Sequence, residues 1–417
     1  MTHPRHPAQT MDRRGFLAGA AGAAGALALL PKHARAAQQA ASEGPRHLVV
    51  VFLSGGNDGL NTLVPFDDDL YHAARPDVAL RRDEVLRIDD HHGLHPSLAK
   101  LAERYSEGGV ALLPGVGYAP PNLSHFTSRD VWDSALVDPA GARTGWIGRT
   151  VDALLGEAVE PTAMLSIGGV SAPLSMLAER NAPYAVANKN SFRVKGGMRE
   201  GSASDARMRA LEALNRRAVA ANAERVAGSV EAAAVSIELL ERALEREPAV
   251  EYPDERLARD LSIAARAIDA EMPTRVFHVA QSGYDTHVEQ RGMQAALLAD
   301  LDAALDAFLR DLAALGRLDR TLVLVYSEFG RRVAQNGVRD KAGTDHGAAG
   351  LAMMLGNGIR AGIHGARPSL DALDDHGNLP HTTDFRAVYA DAIAGWFGLD
   401  AEAVLGGDFG RAGLVRA

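Results

Sequence analysis

The residues able to do chemistry in this chain collect at the ends of apolar runs. SGYDTH follows VFHVAQ and carries Asp285 and His287. SEFGR follows TLVLVY and carries Glu328, and GTDHGA carries Asp345 and His346. Earlier, SGGNDG places Asp58 after HLVVVFL, and NLSHF places Ser124 and His125 shortly after VALLPGVG. All but Ser124 are carboxylate or imidazole donors, and the chain has no cysteine. That set suits Zn²⁺, Mg²⁺, Mn²⁺ or Ca²⁺ and excludes a thiolate metal site or a thiol nucleophile. A divalent ion would lower the pKa of a bound water or of Ser124, and would offset charge on a transferred phosphoryl or sulfuryl oxygen.

Each residue also has a plainer reading. Asp58 is equally a turn aspartate or a helix N-cap, and Ser124 equally the N-cap of the helix expected around Phe126–Ala135. The same helix start would favour an anion or an alkoxide, through its free N–H groups and its dipole. Asp285 and His287 share a face only if extended; in a loop they bind one ion or simply form a hydrogen-bonded turn. Glu328 reads as a site acid or as a core acid near Arg331, and His346 alone reads as structural. His125 and Arg129 line a site or lie on the surface. His91 and His92, with Asp89 and Asp90, read mainly as an exposed loop, because neighbouring residues diverge on any regular element. His95, just before Pro96, lines a site or anchors the following helix.

The elements that must position these groups are legible as patterns. His47–Leu53, Val110–Gly117 and Thr321–Tyr326 are continuous β-rich runs of the kind that make buried parallel strands. VFHVAQ, a helix over about Gln290–Leu315 and TLVLVY form a βαβ unit. In open α/β sheets the site lies at the carboxyl ends of the strands, where the donors are. AMLSIGG and GLAMMLGNGI add strands, and HTTDFRAVYADAIAGWFGLD predicts a closing helix from near Thr383. The fold class is α/β, a mostly parallel sheet with helices on both faces. Residues 203–268 change to Ala, Glu, Arg and Leu at helical spacing, an expected helical insertion that is either a solvated face or a cap over the site.

Residues 1–36 read as an address, with paired Arg13 and Arg14, a Gly/Ala/Leu stretch to Leu30 and small residues before a cut near Ala36. The stretch is shorter than the roughly 20 residues that span a bilayer, and glycines break it. This predicts twin-arginine export to the periplasm or beyond, with the translocase as a transient partner. A flexible leader then covers residues 37–46, and one domain covers 47–417. Residues 1–36 carry five basic residues and one acidic one, so their removal moves the formal charge from −9 to −13. That balance excludes nucleic acid as a partner.

The ordered set LSGGNDGLN, GLHPSL, NLSHF, TGWIGR, SGYDTH, YSEFGR, TDHG and TTDFRAVYADAI resembles the domain-of-unknown-function 1501 family. Its members are mostly twin-arginine-exported proteins of the alkaline phosphatase and sulfatase superfamily. The resemblance implies an alkaline phosphatase-like fold, with Asp58 as the first-strand metal aspartate and Ser124 as nucleophile. It pairs Asp285 with His287 at one metal site and makes His346 the late histidine. Two departures stand out. Relatives separate the aspartate and histidine by three residues where this chain has DTH, and they carry an adjacent Asp-His where this chain has Glu328-Phe329. Asp345-His346 is the other source of an adjacent pair. The implied function is a metal-dependent hydrolase acting on a small-molecule or glycan ester of phosphate or sulfate. The alternative is a non-catalytic envelope binding protein with a degenerate metal site.

Overall fold

The computed structural model describes residues 44–188 and 238–416. The chain divides between Pro45 and Arg46, and the second unit, Arg46–Ala417, holds every element considered below.

Its strands are β1 His47–Ser54, β2 Leu63–Val64, β3 Leu86–Arg87, β4 Gly93–Leu94, β5 Val110–Gly117, β6 Met164–Ile167, β7 Tyr184–Val186, β8 Val276–Ser282, β9 Thr321–Tyr326, β10 Gly330–Asn336, β11 Gly343–Gly347, β12 Gly350–Leu355, β13 Gly362–Ile363 and β14 Thr383–Asp384. The main sheet has nine strands in the order β13-β5-β12-β9-β1-β8-β6-β7, with β14 also on β5. β1 lies at its centre, parallel to both β8 and β9. The expected mostly parallel α/β sheet is therefore present, with β12 antiparallel to both its neighbours. The reason is connection length. β12 follows β9 through the β10–β11 hairpin rather than a crossover helix, and without a crossover a chain can only return antiparallel.

From Leu48 to Leu53 the central run is apolar at every position because both faces are covered. Val49, Val51 and Leu53 enter one core with Leu298, Leu301 and Phe308 of α7 (Gln290–Ala314) and with Leu261 and Ile268 of α6 (Arg256–Asp269). Leu48, Val50 and Phe52 enter the opposite core with Val131 and Trp132 of α4 (His125–Ser134), Ile147 and Val151 of α5 (Trp146–Leu155), and Tyr389 of α8 (Phe385–Ala390). Shorter helices are α1 Gly59–Thr62, α2 Asp69–Ala74 and α3 Ala99–Ser106 before these, and α9 Ala401–Leu405 after them. The expected long helix after β8 is α7, and the expected closing helix begins at Phe385 with Asp384 as its N-cap. Within the stretch expected as an insertion, α6 is a buried layer of the core, ten of its residues being inaccessible. Residues 203–237 lie outside the described residues, as do Arg13, Arg14 and the expected cleavage site.

Candidate functional site

Three strand tips and one helix start meet at the carboxyl edge of the sheet. β1 ends in Gly55-Gly56, β8 in the loop reaching Asp285 and His287, and β9 in Ser327-Glu328-Phe329. The β10–β11 hairpin sets Arg331 opposite His346, and α4 begins at His125. The glycines are required here. Gly56 has φ +74°, and a Cβ on it would lie 2.3 Å from the Phe329 ring; one on Gly55 would lie 2.5 Å from the Asp285 nitrogen.

Arg331 ties these tips together. It is 1% exposed, and its guanidinium donates to the carbonyls of Gly55, Gly56, Tyr284 and Thr344 and to Asp285 Oδ1 at 2.8 Å. Burial acts to raise the Asp285 carboxyl. The hydrogen bond from Arg331 and the Arg331 charge outweigh it and hold the group well below the usual carboxylate range.

Three histidines point their Nε2 atoms at this carboxylate. His287 Nε2 and His346 Nε2 each lie 3.0 Å from Asp285 Oδ1 and 3.0 Å from each other. His125 Nε2 lies 3.4 Å from Asp285 Oδ2, is buried and makes no hydrogen bond. The other nitrogen of each ring is held by an oxygen. His346 Nδ1 meets the Leu123 carbonyl at 2.8 Å, His287 Nδ1 meets Asp345 Oδ1 at 2.9 Å, and His125 Nδ1 meets Glu328 Oε1 at 2.8 Å.

A carbonyl only accepts, so His346 carries its proton on Nδ1 and presents a lone pair at Nε2. Asp345 Oδ1 also takes an N–H from Asn336 at 2.8 Å, which favours the same tautomer for His287. Neutral rings of that kind place two nitrogen lone pairs and a carboxylate oxygen at mutual distances of 3.0 Å, which is repulsive unless a cation lies among them. Burial, aided by the Arg331 charge, lowers the His346 pKa. Ligand atoms around a tetrahedral zinc are separated by about 3.3 Å, and zinc-bound histidines habitually give their second nitrogen to a carboxylate or carbonyl. His125, Asp285 and His346 form a set whose ligand atoms all lie within 4.8 Å of one another, and His287 borders it. The residues present thus fit a divalent ion.

The expected metal set is therefore brought together only in part. Asp285, His287 and His346 point inward. Glu328 and Asp345, expected as ligands, hold the far nitrogens of His125 and His287 instead. Glu328 is 2% exposed and accepts from Gly55 N at 2.9 Å and Gly56 N at 3.3 Å, so it is saturated by donors; it does not pair with Arg331. His125, expected in a catalytic role, stands among the ligand atoms.

Asp58 is not in the cluster. It caps α1 through Leu60 N and pairs with buried Arg75 at 2.7 Å, and Gln290 also donates to it. A buried carboxylate needs such neutralisation, and Arg75 supplies it. Phe329 packs its ring 4.9 Å from that of His125 and 4.6 Å from that of His346, an apolar wall beside the cluster.

Ser124 is the N-cap of α4, but its side chain makes no capping hydrogen bond, and it is exposed between Leu123 and His125, which both touch the cluster. His91 and His92 sit in a loop on Asp67 and Asp89, and His91 is exposed. His95 is buried, accepts from Ser97 N at 3.1 Å and is lowered to about 4 by burial, so it is a neutral anchor. Sequence reasoning missed Arg331 as the clamp on Asp285, although its place four residues after the Ser327 strand tip was visible.

Fold and cluster together define an α/β protein with a histidine and carboxylate centre at the tips of parallel strands. The chain belongs to the family described as "Protein of unknown function (DUF1501)", whose model matches residues 120–411. No curated protein matches the sequence. Among solved structures, the chain is similar to the PsFucS1 sulfatase from Pseudoalteromonas sp., at 12% identity and TM-score 0.41, over 91% of this chain and 75% of that one. It is similar also to the zinc complex of the C-terminal periplasmic domain of EcEptC from Escherichia coli, at 11% identity and TM-score 0.38, over 89% and 83%. A protein in the alkaline phosphatase superfamily from Vibrio parahaemolyticus aligns at 12% identity and TM-score 0.36, over 88% and 70%. Among the described residues no helix is long and apolar enough to cross a membrane.

Proposed function

We propose that the protein is an exported, metal-dependent hydrolase of phosphate or sulfate esters, working with one divalent ion. The observation that carries this is the convergence of three Nε2 atoms on Asp285 with every Nδ1 already held. His125, His287, His346 and Asp285 would hold the ion. When bound, it would supply Lewis-acid stabilisation of charge on the transferred group.

The remaining work falls to the chain itself. Arg331 keeps Asp285 ionised and fixed; Glu328 and Asp345 hold the tautomers of His125 and His287. The uncapped start of α4 offers backbone N–H groups to the oxygens of a tetrahedral ester. Ser124 Oγ, free of capping duty, attacks phosphorus or sulfur, the alcohol departs with a proton, and water cleaves the seryl ester to regenerate the hydroxyl. The substrate would be a small-molecule or glycan ester.

The test is turnover of aryl phosphate and aryl sulfate by protein loaded with Zn²⁺, Mn²⁺, Mg²⁺ or Ca²⁺. Ser124→Ala should abolish it while metal content and melting temperature stay unchanged. Full activity in that variant removes Ser124 as nucleophile. The second reading, a non-catalytic binding protein of the cell envelope, draws on the capture of Asp58 by Arg75 and on apolar Phe329, which leave no second metal site of the implied kind. Stoichiometric metal without turnover of any ester would favour it.

A further inference from the structure

The sheet face beneath α4 is apolar except at one place. Ser166 of β6 and His278 of β8 are register partners, both nearly inaccessible, on the side that otherwise presents Leu48, Val50 and Phe52. They line a cavity of about 140 Å³ together with Arg129, Arg256, Gly168 and Ser171. Burying an imidazole and a hydroxyl against a sheet face costs free energy unless they gain partners. His278 is 4% exposed, and its ring hydrogen-bonds its own backbone. It is neutral, burial and the Arg129 charge having pushed it down to about 3, so it brings no charge of its own to the space.

The charges come from two arginines. Arg129 packs over the Phe52 ring at 5.0 Å and approaches the buried Asp133 only to 3.6 Å. Arg256 donates to the Gly168 carbonyl and approaches Asp260 only to 3.7 Å. Each arginine is thus ion-paired with an acid one turn along its own helix, at a separation just past a hydrogen bond. Gly168 has φ +89° and is pressed so closely on Asp260 that a Cβ would collide with it at 2.1 Å, so this turn tolerates no side chain. Guanidinium groups and serine hydroxyls around one small space are the donor set of an oxyanion site.

The cavity adjoins the cluster. Arg129 lies one turn after His125 on α4, which places their Cβ atoms about 6 Å apart. Ala280, also in the lining, is on the strand that runs out to Asp285. We infer that this cavity is a subsite for an oxyanion substituent, a carboxylate, sulfate or phosphate, on the molecule whose other end meets the histidine cluster. As a statement about substrate, an ester carrying a second anionic group, it rests on the hydrolase reading; as a statement about anion binding it does not.

The experiment is calorimetric titration of inorganic sulfate into the folded protein stripped of metal by chelator, with four forms compared. Wild type should bind one sulfate, Arg129→Gln should bind at least about tenfold more weakly, and Arg129→Lys should fall between them. His346→Ala should bind as wild type does. Absence of binding to wild type, equal binding by Arg129→Gln, or loss of binding in His346→Ala with retention in Arg129→Gln would each overturn the inference. Melting temperatures of all four forms guard against unfolding, and metal titration of the same preparations reports separately on the cluster.

Discussion

Glu328→Gln separates a ligand from a group that orients one. Glu328 takes four donors: Gly55 N at 2.9 Å, Gly56 N at 3.3 Å, Ser327 Oγ at 3.3 Å and His125 Nδ1 at 2.8 Å. Glutamine keeps one acceptor oxygen and turns the other into an amide donor. His125 Nδ1 and Gly55 N share Oε1, so an amide oxygen placed there keeps both and sets the new NH₂ against Gly56 N, while the opposite placement sets the NH₂ against His125 Nδ1 and Gly55 N. An unmatched buried pair of this kind costs about 1–3 kcal/mol of stability. In either placement the His125 ring exchanges a carboxylate for a neutral amide oxygen or for no acceptor, and losing such an anchor weakens metal binding about 10- to 100-fold. That corresponds to about 1.4–2.7 kcal/mol. The assay is zinc competition against a chromophoric chelator, with thermal denaturation of the metal-free protein alongside. A lower melting temperature with unchanged zinc affinity would refute the orienting role. Loss beyond about a thousandfold would make Glu328 a direct ligand, outside the range for an orienting group. A wild type that takes up no metal would remove the centre itself.

Asp58→Asn should destabilise the protein by about 3–5 kcal/mol, because it strands the buried Arg75 charge, yet leave metal stoichiometry intact in whatever protein folds. Metal loss without loss of stability would return Asp58 to the site. Asp133, buried against the sheet, is raised to about 6 by burial, with the Arg129 charge opposing. The native state therefore holds a proton that the unfolded chain releases, so stability falls as pH rises from about 4 to 6, by up to about 3 kcal/mol in all. In Asp133→Asn this component disappears, and urea denaturation of both forms at pH 4 and pH 7 measures the difference. For export, replacing Arg13 and Arg14 together by lysine should leave the unprocessed protein in the cytoplasm, as fractionation and mass would show; normal export of that variant rejects the twin-arginine reading.

Much of the frame is legible in the residues alone. Unbroken apolar runs such as His47–Leu53 can only be satisfied between two covered faces, and a strand that stops at glycine and a donor marks a site edge. Those local rules by themselves place Asp285, His287, Glu328, Asp345 and His346 near one another, because strand tips converge. What they leave open is direction. A residue's type and its position at a tip do not say whether its side chain points to a common centre or braces a neighbour that does. Glu328 turned out to brace His125, 203 positions away, and Asp345 to brace His287. Asp58 had the same local credentials and was claimed by Arg75, whose guanidinium arrives through the packing of α2 on the β10 strand. The antiparallel course of β12 likewise depends on a hairpin whose pairing no local pattern announces. The sequence by itself determined the core faces, the donor types and their place at the sheet edge, since burial and chain geometry act over a few residues. Only the tertiary structure decided which donors share a centre, since that is a matter of distances and angles between elements hundreds of residues apart.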